Sequence, residues 1–181
     1  LKQLTGEKTF AAVLTPMDVI RETIAETRED RKRLRHVPAF APAGQSTQLI
    51  VGASPESDFA VLALADRLYR KQSLKRVYYS AFSTIPDSSA ALPLIRPPLE
   101  REHRLYQADW LLRFYGFELD EITGVTRDGN LDLAVDPKLA WALANRHLFP
   151  VDVNRADRET LLRVPGFGNK TVNRLLATRR H

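Results

Sequence analysis

Residues 48–82 read QLIVGASPESDFAVLALADRLYRKQSLKRVYYSAF, and the order of apolar and polar positions in this stretch decides the fold class. Gln48 to Gly52 is a short run whose β-branched Ile50 and Val51 suit a buried strand, and it ends at a glycine. Ser54, Pro55 and Glu56 make a helix start: serine caps free amides, proline fits the first helical position, and an early glutamate suits the positive end of the dipole. Val61, Leu62, Ala65, Leu68 and Tyr69 then fall on one face of a helical wheel. After the basic turn Arg70 to Lys75, the run Arg76 to Phe82 is again rich in strand-forming residues. Strand, helix and strand in so short a span form a βαβ unit, which requires parallel strands.

A parallel sheet is normally covered on both faces, and apart from Ala39 and Phe40 the chain offers few other strand candidates. The reading therefore expects further strands from polypeptide preceding Leu1. The single methionine, Met17, and the leading Leu1 point the same way.

Working outward, Pro16 reads as the first turn of a helix running to about Arg35, with Thr15 as N-cap and Val19, Ile20, Ile24 and Leu34 as its apolar stripe; Pro38, Pro42 and Gly44 then break it. Ser83 to Pro98 reads as a loop punctuated by Pro86, Pro93, Pro97 and Pro98. It follows the C-terminal end of a parallel strand, where α/β folds build ligand sites, so Ser80, Ser83 and Asp87 are candidates to line one. Leu99 to Tyr115 is an amphipathic helix stopped by Gly116. One register is Leu105, Asp109 and Leu112, and the larger apolar face, Tyr106, Trp110, Leu111, Phe114 and Tyr115, is expected to be core. Asp128, Gly129 and Asn130 signal a turn at a domain junction. Asp136 and Pro137 start another helix with Leu139, Ala140, Leu143 and Ala144 as its stripe, through His147.

The chain has 181 residues, no cysteine and a formal net charge of +5. Absence of cysteine removes disulfides, thiolate zinc sites, thiol nucleophiles and thiolate-bound clusters from the chemistry of these residues. No apolar run approaches the ~20 residues of a membrane span, and LKQLTGEKTF lacks the pattern of a signal peptide, which suggests a cytoplasmic location. Four of the five net positive charges lie beyond Phe149, where Arg155, Arg158, Arg163, Lys170, Arg174, Arg179 and Arg180 face only Asp152, Asp157 and Glu159. His36, His103, His147 and His181 have no metal-ligand spacing. Glu100, Glu102, His103 and Asp109 read as a mixed-charge helix face, and Arg101 and Arg104 either extend the basic track of the last segment or are solvated.

That basic segment, VDVNRADRETLLRVPGFGNKTVNRLLATRR (151–180), carries the clearest motif. Val164-Pro165-Gly166-Phe167-Gly168-Asn169-Lys170-Thr171 resembles the helix-hairpin-helix signature. Asn154 or Asp157 caps a first helix with Leu161 and Leu162 facing inward, and Val172, Leu175 and Leu176 give the second its apolar side. Gly166 and Gly168 allow a tight turn that brings backbone N–H groups close to a phosphate, and the second helix adds unpaired donors at Asn169, Lys170 and Thr171. Lys170 and Arg174 supply charge. The resemblance implies sequence-independent binding to duplex DNA backbone. Val172 stands where that family has a small residue, which predicts a wider separation of the two helices. A helical hairpin used only for packing or protein contact is the competing reading.

Residues 44–58 (GQSTQLIVGASPESD) and 74–89 (LKRVYYSAFSTIPDSS) resemble the later strands of a radical S-adenosylmethionine partial barrel, in which Ile50, Val51, Gly52 and Glu56 match a pattern near the cofactor's adenosyl end. Together with PPLEREHRLYQADWLLRFYGF (97–117), DPKLAWALANRHLFPVDVNRAD (136–157) and the terminal hairpin, essentially the whole chain is similar to the DNA modification or repair radical SAM proteins. The fold this implies is α/β, with the C-terminal part of a partial (βα) barrel over 1–117, a junction loop and connecting helix over 118–148, and a small all-α hairpin segment over 149–181. The resemblance also implies S-adenosylmethionine held near Gln48, Ile50, Val51, Gly52, Glu56 and Ser80, and a [4Fe–4S] cluster bound by three cysteines of an intact parent protein. DNA and a uracil-DNA-glycosylase-like repair protein would be partners, and this cysteine-free chain would be inactive alone. A non-enzymatic DNA-binding or assembly module, with the α/β part as scaffold, is the alternative.

Overall fold

The computed structural model describes residues 9–84 and 92–179. It is a mixed α/β structure with one two-stranded parallel sheet, β1 (Ser46–Val51) and β2 (Arg76–Ala81). The helices are α1 (Phe10–Arg33), α2 (Asp58–Gln72), α3 (Leu99–Phe114), α4 (Leu119–Thr123), α5 (Pro137–Ala144), α6 (Arg158–Arg163) and α7 (Asn169–Thr178), with a 3₁₀ turn over Arg146–Leu148. Among the described residues, no helix is long and apolar enough to cross a membrane. The chain divides into two compact units, residues 1–56 with 64–97, and residues 57–63 with 98–181. The helix α3, placed with the sheet by the sequence reading, therefore clusters with the C-terminal helices.

In the first unit, β1 pairs with β2 in register Gln48 to Tyr78 and Ile50 to Ser80, as the βαβ reading requires. Phe82 N–H donates to the Val51 carbonyl at 2.9 Å and extends the ladder beyond β2. One sheet face is core: Val51, Val77 and Tyr79 are buried, together with Ala65 and Leu68 of α2. The Tyr69 hydroxyl accepts from Val77 N–H at 2.9 Å, tying the helix to the strand that follows it. The other face stays open, with Ile50 48% and Tyr78 43% exposed, whereas a parallel sheet is normally covered on both faces.

The helix α1 begins earlier than its sequence signals suggest. Thr9, not Thr15, is the N-cap, with its Oγ1 accepting from Ala12 N–H at 3.2 Å, and Pro16 lies inside the helix. The six residues before Pro16 can be helical because a proline removes only its own N–H bond and crowds one carbonyl of the preceding turn. No residue of α1 is buried. Its attachment is polar: Arg21 donates to the Lys71 carbonyl at 2.9 Å, and the Gln45 amide donates to the carbonyls of Met17 and Gln72.

The start of α2 also differs from expectation. The Ser54 hydroxyl donates to the Glu56 carboxylate instead of capping a helix, and Pro55 lies in the preceding turn. The helix begins at Asp58, where Ser57 Oγ accepts from Ala60 N–H at 3.3 Å. Its other first amides are taken by the distant turn at 127–130. Asn130 Oδ1 accepts from Asp58 N–H at 3.2 Å, and the Gly129 carbonyl accepts from Phe59 N–H at 2.9 Å. That turn has Asp128 and Gly129 at φ 52° and 75°, the left-handed pair that an Asp-Gly sequence supplies at least cost.

In the second unit, α3 buries Leu105, Ala108, Asp109 and Leu111, and leaves Trp110 51% and Phe114 41% exposed. This corrects the expectation that its aromatic face is core for Trp110 and Phe114, while Leu111 of that face is buried and Tyr106 and Tyr115 are partly buried. The helix packs through the small residue Ala108 and its leucines, and Asp109 is accommodated by an ion pair with Arg113 one turn on, at 3.3 Å. Trp110 and Phe114 lie against each other outside, with centroids 4.5 Å apart and ring planes tilted by 52°. The helix α5 starts as read, with Asp136 Oδ1 accepting from Leu139 N–H at 3.0 Å and Pro137 in the first turn. Its buried side is Pro137, Lys138, Trp141 and Ala142, however, and Leu143 is exposed, so the expected stripe is rotated. Trp141 claims the core position by packing edge-on against Phe117, centroids 5.6 Å apart.

Candidate nucleic-acid interface

The last segment folds as a helical hairpin. Asp157, rather than Asn154, caps α6: its carboxylate accepts from Thr160 N–H at 2.7 Å, and that bond holds the Asp157 carboxyl below the usual carboxylate range. Phe167 N–H donates to the Val164 carbonyl at 3.1 Å, closing a four-residue turn with Pro165 second and Gly166 third at φ 82°. That is the type II arrangement, which needs glycine at the third position. Gly168 caps α7 with no side-chain bond to the helix amides. Leu161, Leu162 and Val172 are fully buried in one cluster with partly buried Phe167, Leu176 and Tyr115 around it. Val172 is thus taken into the hairpin's own core, and each such side chain contributes on the order of 1.5–3 kcal/mol.

The hairpin is held to α3, α4 and α5 by polar contacts. Arg163 donates to both carboxylate oxygens of Glu121, at 3.0 and 2.8 Å, and lies over the rings of Phe117 and Trp141 at 4.9 and 5.6 Å. Asn169 donates to the Phe114 carbonyl at 3.2 Å and accepts from Arg158 at 2.6 Å, so its amide positions α7. Lys138 Nζ donates to the Phe167 carbonyl at 2.5 Å and sits 4.9 Å from the centre of the Tyr115 ring.

Burial lowers the Lys138 pKa from 10.5 to about 8, against an opposing pull from Asp136. The unfolded chain keeps this proton up to about 10.5, while the folded chain releases it near 8. The cost of burying the charge is fully present below about 8 and relieved above it, so unfolding free energy is expected to rise between these values. Urea unfolding across that window should show the rise in the native chain and a flatter profile in Lys138→Met. Matching profiles would overturn the assignment.

Among the described cations beyond Phe149, most are engaged. Arg155 lies 3.7 Å from Asp152, Arg158 bonds Asn169, Arg163 bonds Glu121, and Arg179 donates to the carbonyls of Val153 and Ala156. Lys170 and Arg174 are exposed and make no such bond, and they stand four apart on one face of α7, Lys170 in its first turn and Arg174 one turn further on. Thr171 is exposed beside them, and Gly166 has open space where a side chain would be. Of the six candidate phosphate-binding residues, Gly166, Lys170, Thr171 and Arg174 are exposed, Gly168 is partly buried beside Tyr115, and Asn169 has a tethering role. Arg101 and Arg104 do not extend this track: Arg101 pairs with Asp58 at 2.7 Å, and Arg104 bonds the Leu133 carbonyl and Gln107. Asp109, bonded to Arg113, is likewise engaged away from any acid–base cluster.

The second group of candidates lies on the first unit. Gln48 and Ile50 project from the open sheet face, and half-buried Ser80 is the register partner of Ile50. Val51 is on the opposite face and 1% exposed, in the core. Gly52 turns the chain after β1 at φ 81°, against Pro97, whose Cγ would lie 2.7 Å from an added Cβ. Glu56 takes the Ser54 hydroxyl. Ser83 is exposed, and Asp87 lies outside the described residues.

One feature escaped the sequence reading. A cavity of about 300 Å³ opens between α3, the start of α5 and the hairpin turn, lined by Trp110, Tyr115, Lys138, Phe167 and Gly168 among others. The signal was present as Trp110, Phe114 and Tyr115 on one helix face, but it was assigned to the core. Comparison of the chain with protein-family models, with curated proteins and with solved structures gives no match.

Proposed function

We propose that the α6–α7 hairpin is a helix-hairpin-helix that binds the phosphate backbone of duplex DNA without sequence preference. One observation carries this reading. In a segment where the other described cations are bonded within the chain, Lys170 in the first turn of a ten-residue helix and Arg174 one turn further on stand exposed and unpaired. The early amides of that helix have no side-chain cap. Two cations and a positive dipole end on one surface suit an oxyanion, and backbone geometry alone carries no base information. Titration of the chain with unrelated duplexes at several salt concentrations tests the proposal. Equal affinities, each falling linearly with salt on logarithmic axes, are expected; a strong preference for one sequence, or no binding at low salt, would overturn it.

The wider reading is that the chain is the DNA-holding portion of a radical SAM protein acting in DNA modification or repair. It is supported by the parallel β1–α2–β2 order and by the open sheet face that presents Gln48 and Ile50. The iron–sulfur cluster does not fit the residues of this chain, which include no cysteine, so it would be held elsewhere in a parent protein and no catalytic step is assigned to these residues. The buried position of Val51 confines any adenosyl contact on this face to its neighbours.

A further inference from the structure

Resting on the reading of the hairpin as a phosphate-binding element, we propose that the cavity beside it is a subsite for a single unpaired nucleobase of the bound DNA. Its volume, about 300 Å³, lies at the lower end of the range for small-ligand sites, enough for one planar ring system. Its walls are aromatic: Trp110 comes from α3, Tyr115 from the C-cap of that helix and Phe167 from the hairpin turn. Trp110 is half exposed and braced by Phe114, so a flat ring is held at the mouth of the cavity instead of being buried. Bases stack on such rings whatever their identity, because each has a π-face.

The charges favour a neutral occupant. Lys138 and Asp136 both line the cavity, so one ammonium is balanced by one carboxylate, and the carboxylate repels a phosphate. A base edge carries both N–H donors and carbonyl acceptors, and the polar part of the lining offers both kinds of partner through Asp136, Lys138 and Gln107. Gln107 already accepts a hydrogen bond from Arg104 through its amide oxygen, at 2.8 Å, which leaves the amide nitrogen as its donor.

Position links the cavity to the phosphate site. Gly168 is at once a wall of the cavity and the cap of α7, so a phosphate held at the early amides of α7 brings its own nucleotide to the cavity mouth. A paired and stacked base must be extruded at a cost of a few kcal/mol, and that cost is least for a base with no partner. The subsite therefore selects DNA carrying an unpaired nucleotide.

The experiment compares three duplexes of the same sequence with the 181-residue chain: fully paired, carrying one bulged nucleotide, and carrying an abasic bulge of identical backbone. The bulged duplex is expected to bind about tenfold tighter than the other two, a factor within the range of one base–aromatic stack. Trp110→Ala should bring that ratio to about one, and Trp110→Phe should keep most of it. Equal binding of all three duplexes overturns the subsite while leaving the hairpin reading intact. An abasic bulge bound as tightly as the bulged base also overturns it, by assigning the preference to backbone flexibility. Failure to bind any of the three overturns the hairpin reading and the subsite with it.

Discussion

Replacing Lys170 and Arg174 together with glutamate is expected to weaken duplex binding on the order of 100-fold at moderate salt, taking about 1.5 kcal/mol for each lost charge-assisted contact. Both side chains are exposed and neither is bonded within the chain, so the change removes no intramolecular bond. Lys170 occupies the second position of α7, where the positive helix end disfavours a cation. A glutamate there should leave folding stability equal or raise it by a few tenths of a kcal/mol. Loss of binding with retained stability would separate the surface from the fold. The neutral pair Lys170→Ala and Arg174→Ala should lower the salt slope by about two, one for each phosphate contact. A matched reversal at Arg28 and Arg31, both exposed on α1, controls for net charge and should change affinity far less. Fluorescence anisotropy with a labelled duplex reads all of these. Unchanged affinity of the glutamate pair at low salt would remove the hairpin from the interface.

Asp58→Ala is expected to cost about 3–5 kcal/mol of stability, the usual range for breaking a buried ion pair from one side. Asp58 is 1% exposed and accepts from Arg101 at 2.7 Å and from the backbone N–H of Leu131 at 3.0 Å. Its carboxylate thus joins the start of α2 to α3 and to the strand-like turn at 127–130. Removal deprives a largely buried guanidinium of its counter-charge and leaves a buried amide without its acceptor. For a chain of this size the melting temperature should fall by about 10 °C. The double variant Asp58→Ala, Arg101→Leu should recover part of the loss, because the guanidinium that lost a carboxylate is removed with it. A loss below about 1 kcal/mol by thermal or urea unfolding would show that the pair contributes little.

The elements legible in the sequence were those whose signals are local. The strand residues of 48–52 and 76–82, the Asp136 and Asp157 caps and the Val164–Gly168 turn each lie within a few residues of what they control. The start of α2 was misplaced because its amides are satisfied by Asn130 and Gly129, some seventy residues later, and a local Ser-Pro-Glu signal cannot compete with partners it does not reveal. The exposed face of α3 was misread for a related reason: helical periodicity identifies stripes but not which of two stripes meets the core. There Ala108 permits close packing and Asp109 is neutralised by Arg113. Similarly, Arg163 counts toward a basic tail in the sequence and turns out to be a bracket between Glu121, Phe117 and Trp141. Among the phosphate-site candidates, the tethering bonds of Asn169 were not legible either, because Arg158 and the Phe114 carbonyl, which occupy its amide, lie far off in sequence.

The bonds from Lys138 to the Phe167 carbonyl and from Asn169 to the Phe114 carbonyl have a thermodynamic consequence for recognition. They fix the hairpin turn and the amino end of α7 when the protein folds, so the configurational entropy of that surface is lost before any partner arrives. Association then requires no coupled folding of the hairpin backbone, and the ordering cost falls on the exposed Lys170 and Arg174 side chains. On the protein's side such an encounter presents a preformed backbone surface, with its rate governed by diffusion, orientation and the field of the two exposed cations.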